Sequence, residues 1–188
     1  MSILSDQERE HVAIGAAVGA GCRPCTRYHV KAAAGAGLTP EDVRADIEEA
    51  ELVRIDAAMS TAAYARGLTG AVEEHVLAAC SPASRARALA QVGAATGANA
   101  GYLLDALLPQ ARGLGLADEA LVEAVAVAGK VKEMAANFFA KDAERALASG
   151  EAVAPTLDSG SCTQTEAPAD EPVLAAAAAG QPSKGGCC

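Results

Sequence analysis

Apolar side chains in this sequence recur at three- and four-residue intervals, punctuated by Gly, Pro and capping residues, a rhythm that predicts a succession of helices as far as about residue 147. Ser5 followed by Glu8 makes a capping-box pattern and opens a first helix over about 6–19. A second is expected over about 22–35, closed by Gly35 and Gly37. Thr39, Pro40, Glu41 and Asp42 read as an N-cap, a first-turn proline and first-turn acids. They open a long helix through Val43, Ile47, Ala50, Val53 and Ala57 toward Tyr64. A polar break over 66–70 follows, then a short helix over 72–79. Ser81 as N-cap, with Pro82, starts another that runs to about Gly97.

The pattern then repeats. Gly35-Ala-Gly-Leu-Thr-Pro-Glu-Asp-Val-Arg-Ala matches Gly113-Leu-Gly-Leu-Ala-Asp-Glu-Ala-Leu-Val-Glu at an offset of 78, extending back to Gly19 against Gly97 and forward to Val53 against Val131. The expected fold class is therefore all-α: two tandem helical repeats, about 5–66 and about 83–147, packed as one domain over 1–148. Composition adds to this. There is no Trp, aromatics are 3%, and alanine fills every segment, as suits helices packed closely through small side chains. A net charge of −9 and a pI near 4.8 argue against a nucleic-acid partner. No apolar run approaches the roughly 20 residues of a membrane span, and the first residues lack a signal peptide's basic and apolar regions. A cytoplasmic protein with no membrane partner is expected.

In that compartment thiols stay reduced, so the spacing E-x11-C-x2-C-x3-H, formed by Glu10, Cys22, Cys25 and His29, points to chemistry more than to a structural staple. On a helix starting near Cys22, positions 22, 25 and 29 share one face. A nucleophilic cysteine must be a thiolate, and a helix first turn or a nearby imidazole lowers its pKa. The second thiol of such a pair resolves a mixed disulfide or sulfenic acid formed on the first. Gly21 supplies a permissive backbone at the helix entry, and Pro24 is tolerated in a first turn. Two plainer readings stand beside this one: both cysteines as small buried hydrophobes, or half of a zinc site completed by His29, His11 or Glu10. His11 and His75 show no partner pattern and read as ordinary surface or core histidines, and Cys80 reads as a packed thiol. Under the offset, Glu10, Cys22, Cys25 and His29 become Ala88, Ala100, Leu103 and Leu107, so the second copy keeps the apolar scaffold without the chemistry.

From about Ser149 the sequence turns to Pro, Ser, Thr, Gly and acids with no periodic apolar face, and a disordered tail over 149–188 is expected. It carries Cys162 and, after Gly185-Gly186, the terminal pair Cys187 and Cys188. These thiols suit disulfide exchange with Cys22 and Cys25 or capture of a soft metal or metalloid, beside the plainer reading of an exposed tail with no chemical role. Without a polybasic stretch, nothing supports the prenylated anchor that a double-cysteine terminus can mark.

The glutamate and C-x-x-C-x-x-x-H motif, in a helical chain with this repeat, resembles the superfamily of alkylhydroperoxidase AhpD and carboxymuconolactone decarboxylase, over about residues 5–147. The resemblance implies a thiol oxidoreductase that reduces peroxides through a disulfide cycle without a cofactor. Cys25 would be the attacking thiolate, Cys22 the proton donor and resolving thiol, and Glu10 and His29 the proton relay. It further implies a protein or small-molecule thiol reductant and a homo-oligomer, trimer or hexamer. AhpD-type proteins often carry a second histidine between the cysteines, where this chain has Pro24, and usually place the motif in the second repeat. The lactone decarboxylase branch generally lacks the cysteine pair. The alternatives are a decarboxylase-like enzyme or a non-enzymatic thiol protein that binds soft metals through Cys162, Cys187 and Cys188.

Overall fold

The computed structural model describes residues 2–70 and 81–148. The expected short helix over 72–79 with His75, Cys80, and the tail with Cys162, Cys187 and Cys188 lie outside the described residues. The rest is all-α, and no strand occurs among the described residues: α1 (Asp6–Gly19), α2 (Arg23–Gly35), α3 (Pro40–Gly67), α4 (Arg85–Gly97), α5 (Gly101–Gly113) and α6 (Asp118–Ala148). These helices belong to one compact unit.

The starts of the first and third helices follow from their caps. Ser5 Oγ accepts the Glu8 N–H and the Glu8 carboxylate accepts the Ser5 N–H; Thr39 and Asp42 do the same at α3. Three expected boundaries shift. Cys22 is the N-cap of α2, with its sulfur accepting the Cys25 N–H, so the helix proper starts one residue later. Helix α3 continues past Tyr64 to Gly67. The N-cap of α4 is Ser84 and not Ser81. Both serines are competent caps, but starting at Ser84 lets Arg85 donate to Glu8 of α1 at 2.6 Å and to the Gly115 carbonyl at 2.9 Å.

The core is centred on α1 and α4. Every residue from His11 to Ala17 is buried, as is every residue from Ala88 to Ala95. A helix apolar on all sides must lie inside, and here α3 and α6 each cover both central helices while α2 packs on α1 and α5 on α4. Small residues set the approach. A Cβ at Gly15 would lie 2.0 Å from the Ala90 carbonyl oxygen and one at Gly19 2.3 Å from that of Ala94; reciprocally, Gly93 meets the Val12 oxygen at 2.2 Å and Gly97 that of Ala16 at 2.3 Å. The two backbones touch at four points where no side chain fits, and glycine Cα–H groups there face carbonyl oxygens. These contacts, and the limits of α2 and α5, are related by the same 78-residue offset.

The periphery is tied by charge. Glu123 of α6 accepts from Ser2 Oγ at 2.6 Å, from the Ile3 and Leu4 N–H groups at 2.7 and 3.1 Å, and from Arg9 at 2.9 Å. The hydrogen bonds from Ser2, Ile3 and Arg9 hold the Glu123 carboxyl down at about 2.

Candidate functional site

The site is built at the turn from α1 into α2. Gly21 sits there with φ +67, in the left-handed region, and the Arg54 guanidinium of α3 closes over it: a Cβ at Gly21 would lie 2.8 Å from Arg54 Nη2. Arg54 also donates to the Val18 carbonyl at 3.1 Å, fixing the end of α1. The turn delivers Cys22 as the N-cap and Cys25 into the first turn of α2. The buried residues of α2 are Cys25, His29 and Ala33, a single stripe at four-residue spacing.

Cys22 and Cys25 are joined in a disulfide, with their Cα atoms 5.3 Å apart. Cys25 is 2% exposed and Cys22 7%. One turn on, His29 Nδ1 lies 3.0 Å from Glu10 Oε2 of α1. A carboxylate only accepts, so Nδ1 carries the proton and, in the neutral ring, Nε2 is the acceptor. That Nε2 is buried with no hydrogen-bond partner. A buried imidazole oriented by a carboxylate and left with one free lone pair is equipped to take and return a proton. The Tyr28 ring stands edge-on to His29, with centroids 5.0 Å apart. The four residues of the sequence motif thus form two pairs, the Cys22–Cys25 disulfide at the start of α2 and the His29–Glu10 hydrogen bond between α2 and α1, with Cys25 and His29 in one buried stripe of α2.

A cleft of about 470 Å³ adjoins the disulfide, walled by Gly21, Cys22 and Arg23 on one side and by Lys132, Phe138 and Phe139 of α6 on the other. Cys22 lines it and Cys25 does not. The sequence reading missed the α6 wall, which lies more than a hundred residues from the motif; a doubled phenylalanine in a chain with only two was the available signal.

Also missed was a second buried cluster. His11 Nδ1 lies 2.6 Å from Asp46 Oδ2, and Arg87 donates to Asp46 Oδ1 at 3.4 Å, joining α1, α3 and α4. Asp46 is wholly buried, and burial raises its pKa above the usual aspartate value, against the opposing pull of His11 and Arg87. Beside it Gln91 donates to Glu49 at 2.5 Å. His11, adjacent to Glu10 in sequence, is a buried histidine of this cross-helix anchor. Among the described residues no three of His, Cys, Asp and Glu gather as a metal would require, so the zinc reading of the cysteines finds no further ligands there.

The carboxymuconolactone decarboxylase family matches residues 2–74, the stretch that holds Glu10, Cys22, Cys25 and His29. No curated protein and no solved structure matches the chain significantly. No described helix is long and apolar enough to cross a membrane.

Proposed function

We infer, from the likeness of residues 2–74 to the carboxymuconolactone decarboxylase family, that this chain is a thiol oxidoreductase that reduces peroxides by cycling Cys22 and Cys25 between dithiol and disulfide. The observation that carries the reading is the disulfide at the start of α2 in the same buried stripe as a carboxylate-oriented histidine with a free Nε2. The Cys25 thiolate attacks the outer peroxide oxygen, the O–O bond breaks, and the leaving alkoxide takes a proton delivered through Cys22 and the Glu10–His29 relay. Cys25 is then a sulfenic acid. The Cys22 sulfur displaces its hydroxyl, which leaves as water, and the disulfide forms. A thiol reductant restores the pair.

The experiment is peroxide consumption coupled to a dithiol reductant in wild type and single variants. Cys25→Ser should abolish turnover, while Cys22→Ser should leave a sulfenic acid on Cys25 that dimedone traps. Labelling of Cys22 in Cys25→Ser at the wild-type rate reverses the roles, and full turnover in both variants rejects the cycle.

The protein works as a homo-oligomer in this reading. Helix α3 leaves Leu52, Ile55 and Met59, one helical stripe, about half exposed, as expected of a surface that another copy covers. In the same reading the tail thiols Cys187 and Cys188 exchange disulfides with Cys22 and Cys25 as an arm or bind a soft metal. Truncation after Leu147 should slow turnover with a protein reductant more than with dithiothreitol if they are an arm, and should abolish metal binding if they are a metal site.

A further inference from the structure

The two sulfurs of the disulfide differ in what they face. Only Cys22 lines the 470 Å³ cleft, and it is the more exposed of the pair. Charged side chains on the wall are Arg23, Lys132 and Asp142. Asp142, the one carboxylate among the lining residues, already accepts from Arg145 at 2.9 Å. Lys132 is held by the side-chain oxygen of Asn99, a neutral partner that leaves its charge in place. The balance of the wall is therefore cationic, in a chain whose net charge is −9. Phe138 and Phe139, the chain's only phenylalanines and both exposed, are the large apolar side chains of the wall. A hollow of this size is within the range that small ligands occupy, roughly 300–1,000 Å³.

We propose that this cleft binds the reductant, a low-molecular-weight thiol bearing a carboxylate, and presents its sulfur to Cys22. The proposal rests on the disulfide cycle above and names the donor side of that cycle. The anionic group pairs with Arg23 and Lys132, and the apolar part of the molecule lies on the phenylalanines. Its thiolate attacks Cys22 Sγ and the Cys22–Cys25 bond breaks. The electron pair leaves on Cys25, whose place in the first turn of α2 favours a thiolate, and a mixed disulfide remains on Cys22. A second thiolate attacks the reductant's own sulfur, releases the oxidised reductant as its disulfide and leaves Cys22 as a thiolate. Each sulfur's proton passes to one of the two protein thiolates. Two thiols are oxidised for one protein disulfide reduced.

The test uses the full chain, oxidised beforehand and free of peroxide, and follows loss of its disulfide. The donors are 3-mercaptopropionate, 2-mercaptoethanol and cysteamine, compared per thiolate. At low ionic strength the anion should react about tenfold faster than the neutral thiol and the cation slowest, with the spread shrinking in salt. Acid quenching and alkylation should place the donor adduct on Cys22 and the alkyl group on Cys25. The Arg23→Gln, Lys132→Gln double variant should bring the mercaptopropionate rate down to that of mercaptoethanol. If that variant does not fold, the wild-type series and the adduct map still decide. Equal rates for the three donors, or an adduct on Cys25, overturns the proposal. Because no peroxide takes part, a failure of peroxide reduction with this charge preference intact counts against the peroxide reading alone.

Discussion

A single hydrogen bond decides what His29 can do. With Nδ1 committed to Glu10, only Nε2 is free to exchange a proton. Glu10→Gln keeps the shape but removes the charge that supports an imidazolium, and it should slow peroxide reduction by about 10² to 10⁴, the usual contribution of a positioned acid or base. Steady-state rates on a variant with unchanged circular dichroism check this, and wild-type turnover would remove Glu10 from the relay. A second carboxylate, Glu123, ties the first residues of the chain to α6. Its folded pKa of about 2 lies below the ordinary 4.5, so its contribution is present above about pH 4.5 and is lost as pH falls toward 2. Denaturant midpoints measured across that window should fall for wild type and fall less steeply for Glu123→Gln; parallel curves would show that its clamp on Ser2, Ile3 and Arg9 adds nothing. The catalytic candidates were legible because three of the four sit within eight residues at helical spacing. His11, Asp46 and Arg87 were not, since they meet only after three helices have packed and nothing in their local sequence pairs them.

Among the elements, the tight approach of α1 and α4 is the feature most sensitive to one methyl group. Gly15→Ala would place a carbon 2.0 Å from a backbone oxygen that no side-chain rotation can relieve, so the helices must separate. We expect a loss of about 3 kcal/mol or more by chemical denaturation, at the upper end for overpacking. Gly35→Ala, with open space around its Cβ, is the control and should be near neutral. Gly21→Ala combines left-handed strain of about 1–2 kcal/mol with displacement of Arg54. It should therefore slow catalysis as well as lower stability. Capping residues made the helix starts readable where one candidate stood alone, as at Ser5 and Thr39. Where Ser81 and Ser84 competed, the contact of Arg85 with Glu8 decided, and a tertiary partner is invisible to local pattern.

At the scale of the whole molecule, the proposed chemistry belongs to the first copy of the repeat, while Ala100, Leu103 and Leu107, the offset counterparts of Cys22, Cys25 and His29, are buried in the core. Leu107→Ala should cost about 2–5 kcal/mol and leave the rate per folded molecule unchanged. The exposed stripe of α3 should be covered in a trimer or hexamer: light scattering should give that mass for wild type and a smaller one for Leu52→Glu with Ile55→Glu, and a monomeric wild type would refute the assembly. The central claim is that peroxide makes the Cys22–Cys25 bond, and it is tested most directly by a single turnover. Fully reduced protein is mixed with one equivalent of peroxide, then quenched, and its free thiols are counted and its disulfides mapped. The account predicts loss of two thiols, both from the Cys22–Cys25 pair, as the peroxide disappears; persistence of both thiols and of the peroxide in a folded protein would contradict it.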